Sequence, residues 1–205
     1  MSFVCPSCQS RIAPGQPACA ACLFSLEELD RRLGIPPQLC GPVADPLKRL
    51  PSSSVRRITS QVDRIERKFP QVRVAVALQE VPYNVTLPVF TFWLFNRGGF
   101  SSSVDRGAEN FLVLLLIDLT PSAALKTSAM IGYGLEPFLS NEDLVTCLTP
   151  PPAPSAEALA QSFIKNLEAT LISAVSKANP GETLSRPVIR ALAQTHPHPP
   201  GEPHP

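Results

Sequence analysis

The chain has 205 residues, 18 basic against 17 acidic side chains, and a formal net charge of +1. That length admits one ordinary domain and one small module, and the even balance gives no electrostatic reason to expect a nucleic-acid partner. The longest apolar run, Phe111 to Ile117, is far shorter than the ~20 residues of a membrane-spanning helix, and the start shows no charged-then-apolar export signal. A cytoplasmic protein is expected, in which thiols stay reduced and paired cysteines read as metal ligands rather than disulfides.

The first element carries the clearest chemistry. Cys5-Pro6-Ser7-Cys8 and Cys19-Ala20-Ala21-Cys22 are two Cys-x-x-Cys pairs separated by ten residues. Each pair curls into a knuckle that aims two sulfurs at one point, and two facing knuckles give a tetrahedron of thiolates that suits Zn²⁺. So short a segment cannot build a core of its own, so a metal is needed to fold it. Four thiolates leave no open position, which makes the expected zinc structural rather than catalytic. Ala13-Pro14-Gly15-Gln16-Pro17 supplies turn residues between the pairs. Arg11 is the only cation before Leu29, and Phe3 and Phe24 are the only aromatics there. A nucleic-acid ribbon would interleave several of each, so nucleic acid is not the expected partner.

Ser25 to Leu33 reads as a short helix, capped by Ser25, with Glu27 and Glu28 in its first turn and Gly34 after its end. Residues 1–33 thus form a zinc ribbon plus helix. Residues 34–53 are proline-rich and read as a linker, and residues 45–178 hold the larger domain. In Ser52 to Phe69 the residues Val55, Ile58, Val62, Ile65 and Phe69 make one helical stripe, with the cations on a solvated face. Val72 to Val81 alternates as a strand. Thr86 to Asn96 is an apolar, aromatic helix containing Trp93, and residues 97–107 are a glycine- and serine-containing loop. Phe111 to Ile117, apolar at every position, predicts a central strand covered on both faces. Leu125 to Tyr133 returns as a strand, Ser140 to Leu148 is a capped helix, and Ser155 caps a long helix to about residue 178.

All three histidines, His196, His198 and His204, lie in residues 179–205, a proline- and histidine-rich tail with too little apolar content to order. Their place there leaves the folded part without a histidine base and excludes Ser-His-Asp and Cys-His catalysis. Cys40 and Cys147 read as free thiols. What remains for chemistry is carboxylates: Glu109 and Asp118 bracket the central strand, with Asp105, Glu136 and Asp143 in loops or at a helix start. Two or three of these could hold Mg²⁺ or Ca²⁺ through oxygen ligands and polarise a phosphoryl oxygen. Gly132-Tyr133-Gly134 lacks the Lys and Ser/Thr of a phosphate loop and reads as a tight turn after a strand.

Two resemblances rest on these residues. The Cys5 to Cys22 segment looks like a short zinc ribbon of the CPxC…CxxC type. Residues 45–178 resemble the TPM domain family, named after a thylakoid lumen protein, a photosystem II repair protein and a nematode receptor accessory protein. The resemblance is carried by Trp93-Leu94-Phe95-Asn96-Arg97, by the apolar strand ending at Asp118, and above all by Ile131-Gly132-Tyr133-Gly134-Leu135-Glu136-Pro137-Phe138-Leu139. It implies an α/β sandwich with a small central sheet, with divalent-cation binding and phosphatase activity proposed for some members. Where the family has Asp-Asn-Gly before the central strand, this chain has Glu109-Asn110-Phe111. The overall expectation is an α/β fold, a small central β-sheet sandwiched by helices and preceded by a short four-cysteine zinc ribbon. The expected function is a non-catalytic protein-interaction or assembly factor with a protein partner. The alternative is a cation-dependent phosphatase using Asp118, Glu109 and Glu136.

Overall fold

The structure, a computed structural model, describes residues 3–13, 15–39, 41–100, 108–121 and 125–178. Cys40, Asp105 and the tail with its three histidines lie outside the described residues. The fold is α/β. Strands β1 (Phe3–Val4) and β2 (Arg11–Ile12) form a small antiparallel ribbon, followed by helix α1 (Leu26–Leu33). The main sheet has four strands in the order β3 (Val43–Ala44), β4 (Arg73–Gln79), β5 (Leu112–Asp118) and β6 (Lys126–Ile131). The first three run parallel and β6 is antiparallel to β5.

Every residue from Leu112 to Ile117 is buried, as its all-apolar sequence predicts for a strand covered on both faces. Alternate residues serve two separate cores. Val113, Leu115 and Ile117 join Val74, Val76 and Leu78 against helices α2 (Ser52–Lys68) and α5 (Ala156–Ala178). Leu114 and Leu116 join the small Ala75 and Ala77 on the other face, which makes room for Phe90 and Trp93 of helix α3 (Leu87–Arg97). The predicted stripe of α2 is the buried one: Ile58, Val62, Ile65 and Phe69 face the first core. Three of its cations pair with α5. Arg57 bonds Glu157 at 2.6 Å, and Arg64 and Lys68 bond Glu168 at 2.8 and 3.5 Å, so they tie α2 to α5.

The crossovers β3–α2–β4 and β4–α3–β5 step in the same direction across the sheet, yet α2 and α3 lie on opposite faces. Two such crossovers have opposite hands, so one of them departs from the right-handed rule.

Within residues 34–53, expected as a linker, Leu39 and Pro42 to Ala44 join the folded body. Val43 and Ala44 pair with Val76 and Ala77, and the Val76 N–H reaches the Pro42 carbonyl at 2.8 Å. Leu39 is buried and donates its N–H to the Gly98 carbonyl at the end of α3. Helix α4 (Asn141–Cys147) closes its N-terminus with a reciprocal capping box between Ser140 and Asp143. Ser155 accepts the Ala158 N–H at the start of α5, as its sequence predicts.

Candidate metal centre

The two knuckles of the N-terminal ribbon have the same hydrogen-bond pattern. The Cys5 N–H reaches the Ser10 carbonyl and the Gln9 N–H reaches the Cys5 carbonyl, both at 2.9 Å. The Cys19 N–H reaches the Phe24 carbonyl and the Leu23 N–H reaches the Cys19 carbonyl, both at 2.8 Å. This repetition brings all four sulfurs within 4.8 Å of one another. Cys5 and Cys22 stand 3.7 Å apart, and Cys8 and Cys19 3.6 Å. A tetrahedral site with metal–sulfur bonds of ~2.3 Å has edges of about 3.8 Å. The sulfur spacing therefore fits a four-thiolate metal site, while a disulfide at ~2.05 Å does not fit it. Cys5 and Cys19, the first of each pair, are buried, and Cys8 and Cys22 are exposed at the knuckle tips.

The two exposed thiols are shifted in opposite directions. Hydrogen bonds from the Ser10 side chain and backbone draw the Cys8 thiol down to about 6. The Phe24 backbone favours the Cys22 thiolate, but desolvation and the neighbouring sulfurs of Cys8, Cys5 and Cys19 push that thiol up to about 12. A cation that takes all four as thiolates must displace the retained protons, so metal uptake releases protons and weakens as pH falls.

Each knuckle also stores backbone strain. Gln9 and Leu23, the residues just after the second cysteine of each pair, have φ of 62° and 60°. That left-handed region suits glycine and costs other residues roughly 1–2 kcal/mol. Leu23 is 76% exposed, so little packing is lost on truncating it. Leu23→Gly is expected to stabilise the ribbon by about 0.5–1 kcal/mol, glycine's greater unfolded-state freedom offsetting part of the relief. Thermal unfolding of the metal-loaded chain, followed by amide exchange of residues 3–25, checks this; an unchanged or lower stability would contradict it.

The carboxylates do not converge. Asp118 closes β5 at its C-terminal end, where its Oδ1 accepts bonds from the Thr120 Oγ1 at 2.6 Å, the Thr120 N–H at 2.9 Å and the Val81 N–H at 3.3 Å. This carboxylate ties the ends of β4 and β5 together. Because β6 is antiparallel, the segment after it lies at the opposite end of β5: the Gly132 N–H reaches the Leu112 carbonyl and the Gly134 N–H reaches the Asn110 carbonyl. Glu136 is exposed in that turn, and Glu109 belongs to the 3₁₀ turn leading into β5, its side chain outside the described residues. A seven-residue strand, ~20 Å long, separates Asp118 from both. Asp143 is engaged in its helix cap, and its carboxyl is held below the usual range first by the Ser140 backbone N–H. Among the described residues the only cluster of three or more cysteine, histidine or acidic side chains placed to hold a metal is Cys5, Cys8, Cys19 and Cys22.

The Gly132-Tyr133-Gly134 turn has a packing reason for its second glycine. A Cβ on Gly134 would sit 2.9 Å from the Asn110 carbonyl oxygen and from the Phe111 ring. The Asn110 amide donates to the Tyr133 hydroxyl at 2.6 Å. The segment fastens the chain after β6 to the entry of β5. Cys147 is buried, and burial pushes its thiol up, which makes it an inert core residue.

Sequence reasoning missed how the ribbon meets the sheet. Asp30 of α1 accepts the Trp93 Nε1–H at 2.8 Å and pairs with Arg97 at 2.9 Å. Phe24 packs its ring on Phe92 with centroids 5.5 Å apart, and Leu29 is buried in the second core. The signal was present in α3, which carries Leu87, Val89, Phe90, Phe92, Trp93 and Phe95 around its circumference. A helix apolar on all sides needs a cover beyond the sheet, and α1 with its Leu26, Leu29 and Leu33 stripe is that cover. Among the described residues no helix is long and apolar enough to cross a membrane. No protein-family model matches the chain, and no curated protein and no solved structure matches it significantly.

Proposed function

We propose that this chain is a non-catalytic interaction or assembly factor, built from a structural zinc ribbon fixed on a TPM-like α/β domain. The observation that carries the reading is the four-sulfur cluster with tetrahedral spacing. Four thiolates saturate a zinc ion, so the metal folds the ribbon and offers no position to a substrate. The all-sulfur donor set favours zinc over Mg²⁺ or Ca²⁺, which take oxygen ligands. A reducing compartment such as the cytoplasm suits such a centre. The TPM resemblance is supported by the four-stranded mixed sheet between helices and by the structural use of the Gly132 to Leu139 segment.

The competing phosphatase reading needs acids gathered around one cation, whereas Asp118 stands at the opposite end of β5 from Glu109 and Glu136. The full chain, incubated with a generic phosphate ester and Mg²⁺ or Ca²⁺, is expected to show no turnover, and Asp118→Ala is expected to behave identically. Turnover that Asp118→Ala abolishes would overturn the non-catalytic reading.

A further inference from the structure

The metal centre and the α/β domain are joined by a short, continuous set of contacts. The Cys19 N–H holds the Phe24 carbonyl, and the Phe24 ring lies on Phe92 of α3. The next residue, Ser25, caps α1 by accepting the Glu28 N–H at 3.1 Å. One turn further, Leu29 enters the second core and Asp30 grips Trp93 and Arg97. Helix α1 has only eight residues. An isolated helix below ~12–15 residues is marginal in water, so α1 depends on its anchors. Those anchors are the second knuckle at its N-terminal side and α3 along its flank.

We infer that a filled metal centre latches α1 onto α3, and that loss of the metal releases α1 and uncovers the apolar outer face of α3. The inference rests on the four-thiolate reading above. Without a metal the knuckle around Cys19 has no core to hold it, and the Phe24 carbonyl loses its fixed position. The segment from Phe24 to Leu33 is then ordered only by its contacts with α3, which must offset its conformational entropy unaided. Release would expose the Phe92 ring and the indole edge of Trp93 that Asp30 holds, an aromatic surface suited to a protein partner. Metal supply would thereby control which surface the α/β domain shows.

Trp93 is the only tryptophan of the chain and is buried at this contact, so its emission reads the latch directly. The full chain is loaded with zinc, its metal content is measured, and a chelator then strips it. Stripping is expected to shift Trp93 emission to the red and raise its quenching by acrylamide several-fold, with reversal on adding zinc back. Hydrogen exchange should show residues 26–33 losing protection while residues 112–118 keep theirs. Asp30→Ala should bind zinc with unchanged stoichiometry yet show raised Trp93 quenching before any stripping. A metal-loaded chain whose Trp93 is indifferent to stripping would overturn the latch alone. Loss of β5 protection along with α1 would overturn it in favour of a global requirement for metal. A chain that takes up no zinc overturns the metal assignment first, and the latch with it.

Discussion

Cys19→Ser is expected to abolish stable metal binding and unfold the N-terminal ribbon while leaving the sheet folded. Cys19 is buried and its backbone N–H closes the second knuckle, so the substitution removes a ligand and leaves a hydroxyl where a thiolate is needed. Structural zinc contributes apparent free energies of about 10–16 kcal/mol in small modules, far more than any contact within β1 and β2. Zinc per chain should fall to near zero, and amide signals of residues 3–25 should collapse to unfolded positions. The α/β domain owes its stability to two apolar cores on either side of β4 and β5, so strand signals from 73–79 and 112–118 should persist. A variant that keeps its zinc and its ribbon would show that Cys19 is not a ligand.

Leu115→Ala should have the largest effect on the domain itself. Leu115 is 0% exposed at the middle of β5 and packs in the first core, on the sheet face that α2 and α5 cover. Deleting its isobutyl group loses transfer free energy and leaves a cavity, about 2–5 kcal/mol in all. For a chain of this size each kcal/mol lowers Tm by roughly 2–4 °C. Val145→Ala on α4 is the matched control, because Val145 is exposed and its truncation should change stability by less than ~0.5 kcal/mol. Paired thermal melts of the two variants check both expectations. A Leu115→Ala loss no larger than the control's would contradict the placement of β5 at the centre.

How much of this was legible in the sequence depended on how locally each feature is specified. The run from Phe111 to Ile117 announces a strand covered twice because every side chain must leave water. The stripe of α2 follows from helical periodicity, and Ser140 and Ser155 mark helix starts because a hydroxyl there satisfies an otherwise unpaired N–H. The cysteine cluster was legible for the same reason, since spacing within each pair fixes where the sulfurs point. Strand β3 was not, because Val43 and Ala44 stand between Pro42 and Pro46 in a segment whose composition reads as linker. Only its pairing with β4, set by the whole sheet, makes it a strand. The docking of α1 was hidden for a similar reason: Asp30 and Trp93 are 63 residues apart, and no local pattern records that they meet. The separation of Asp118 from Glu109 was legible, since the two bracket β5, whereas that of Asp118 from Glu136 depended on the antiparallel return of β6.

Metal analysis of the purified full chain, combined with alkylation of its thiols, tests the central claim most directly. The account predicts about one zinc per chain, with Cys5, Cys8, Cys19 and Cys22 protected until a chelator is added, even though Cys8 and Cys22 are exposed at the knuckle tips. A folded ribbon that carries no metal, with Cys8 and Cys22 alkylated at once, would contradict it.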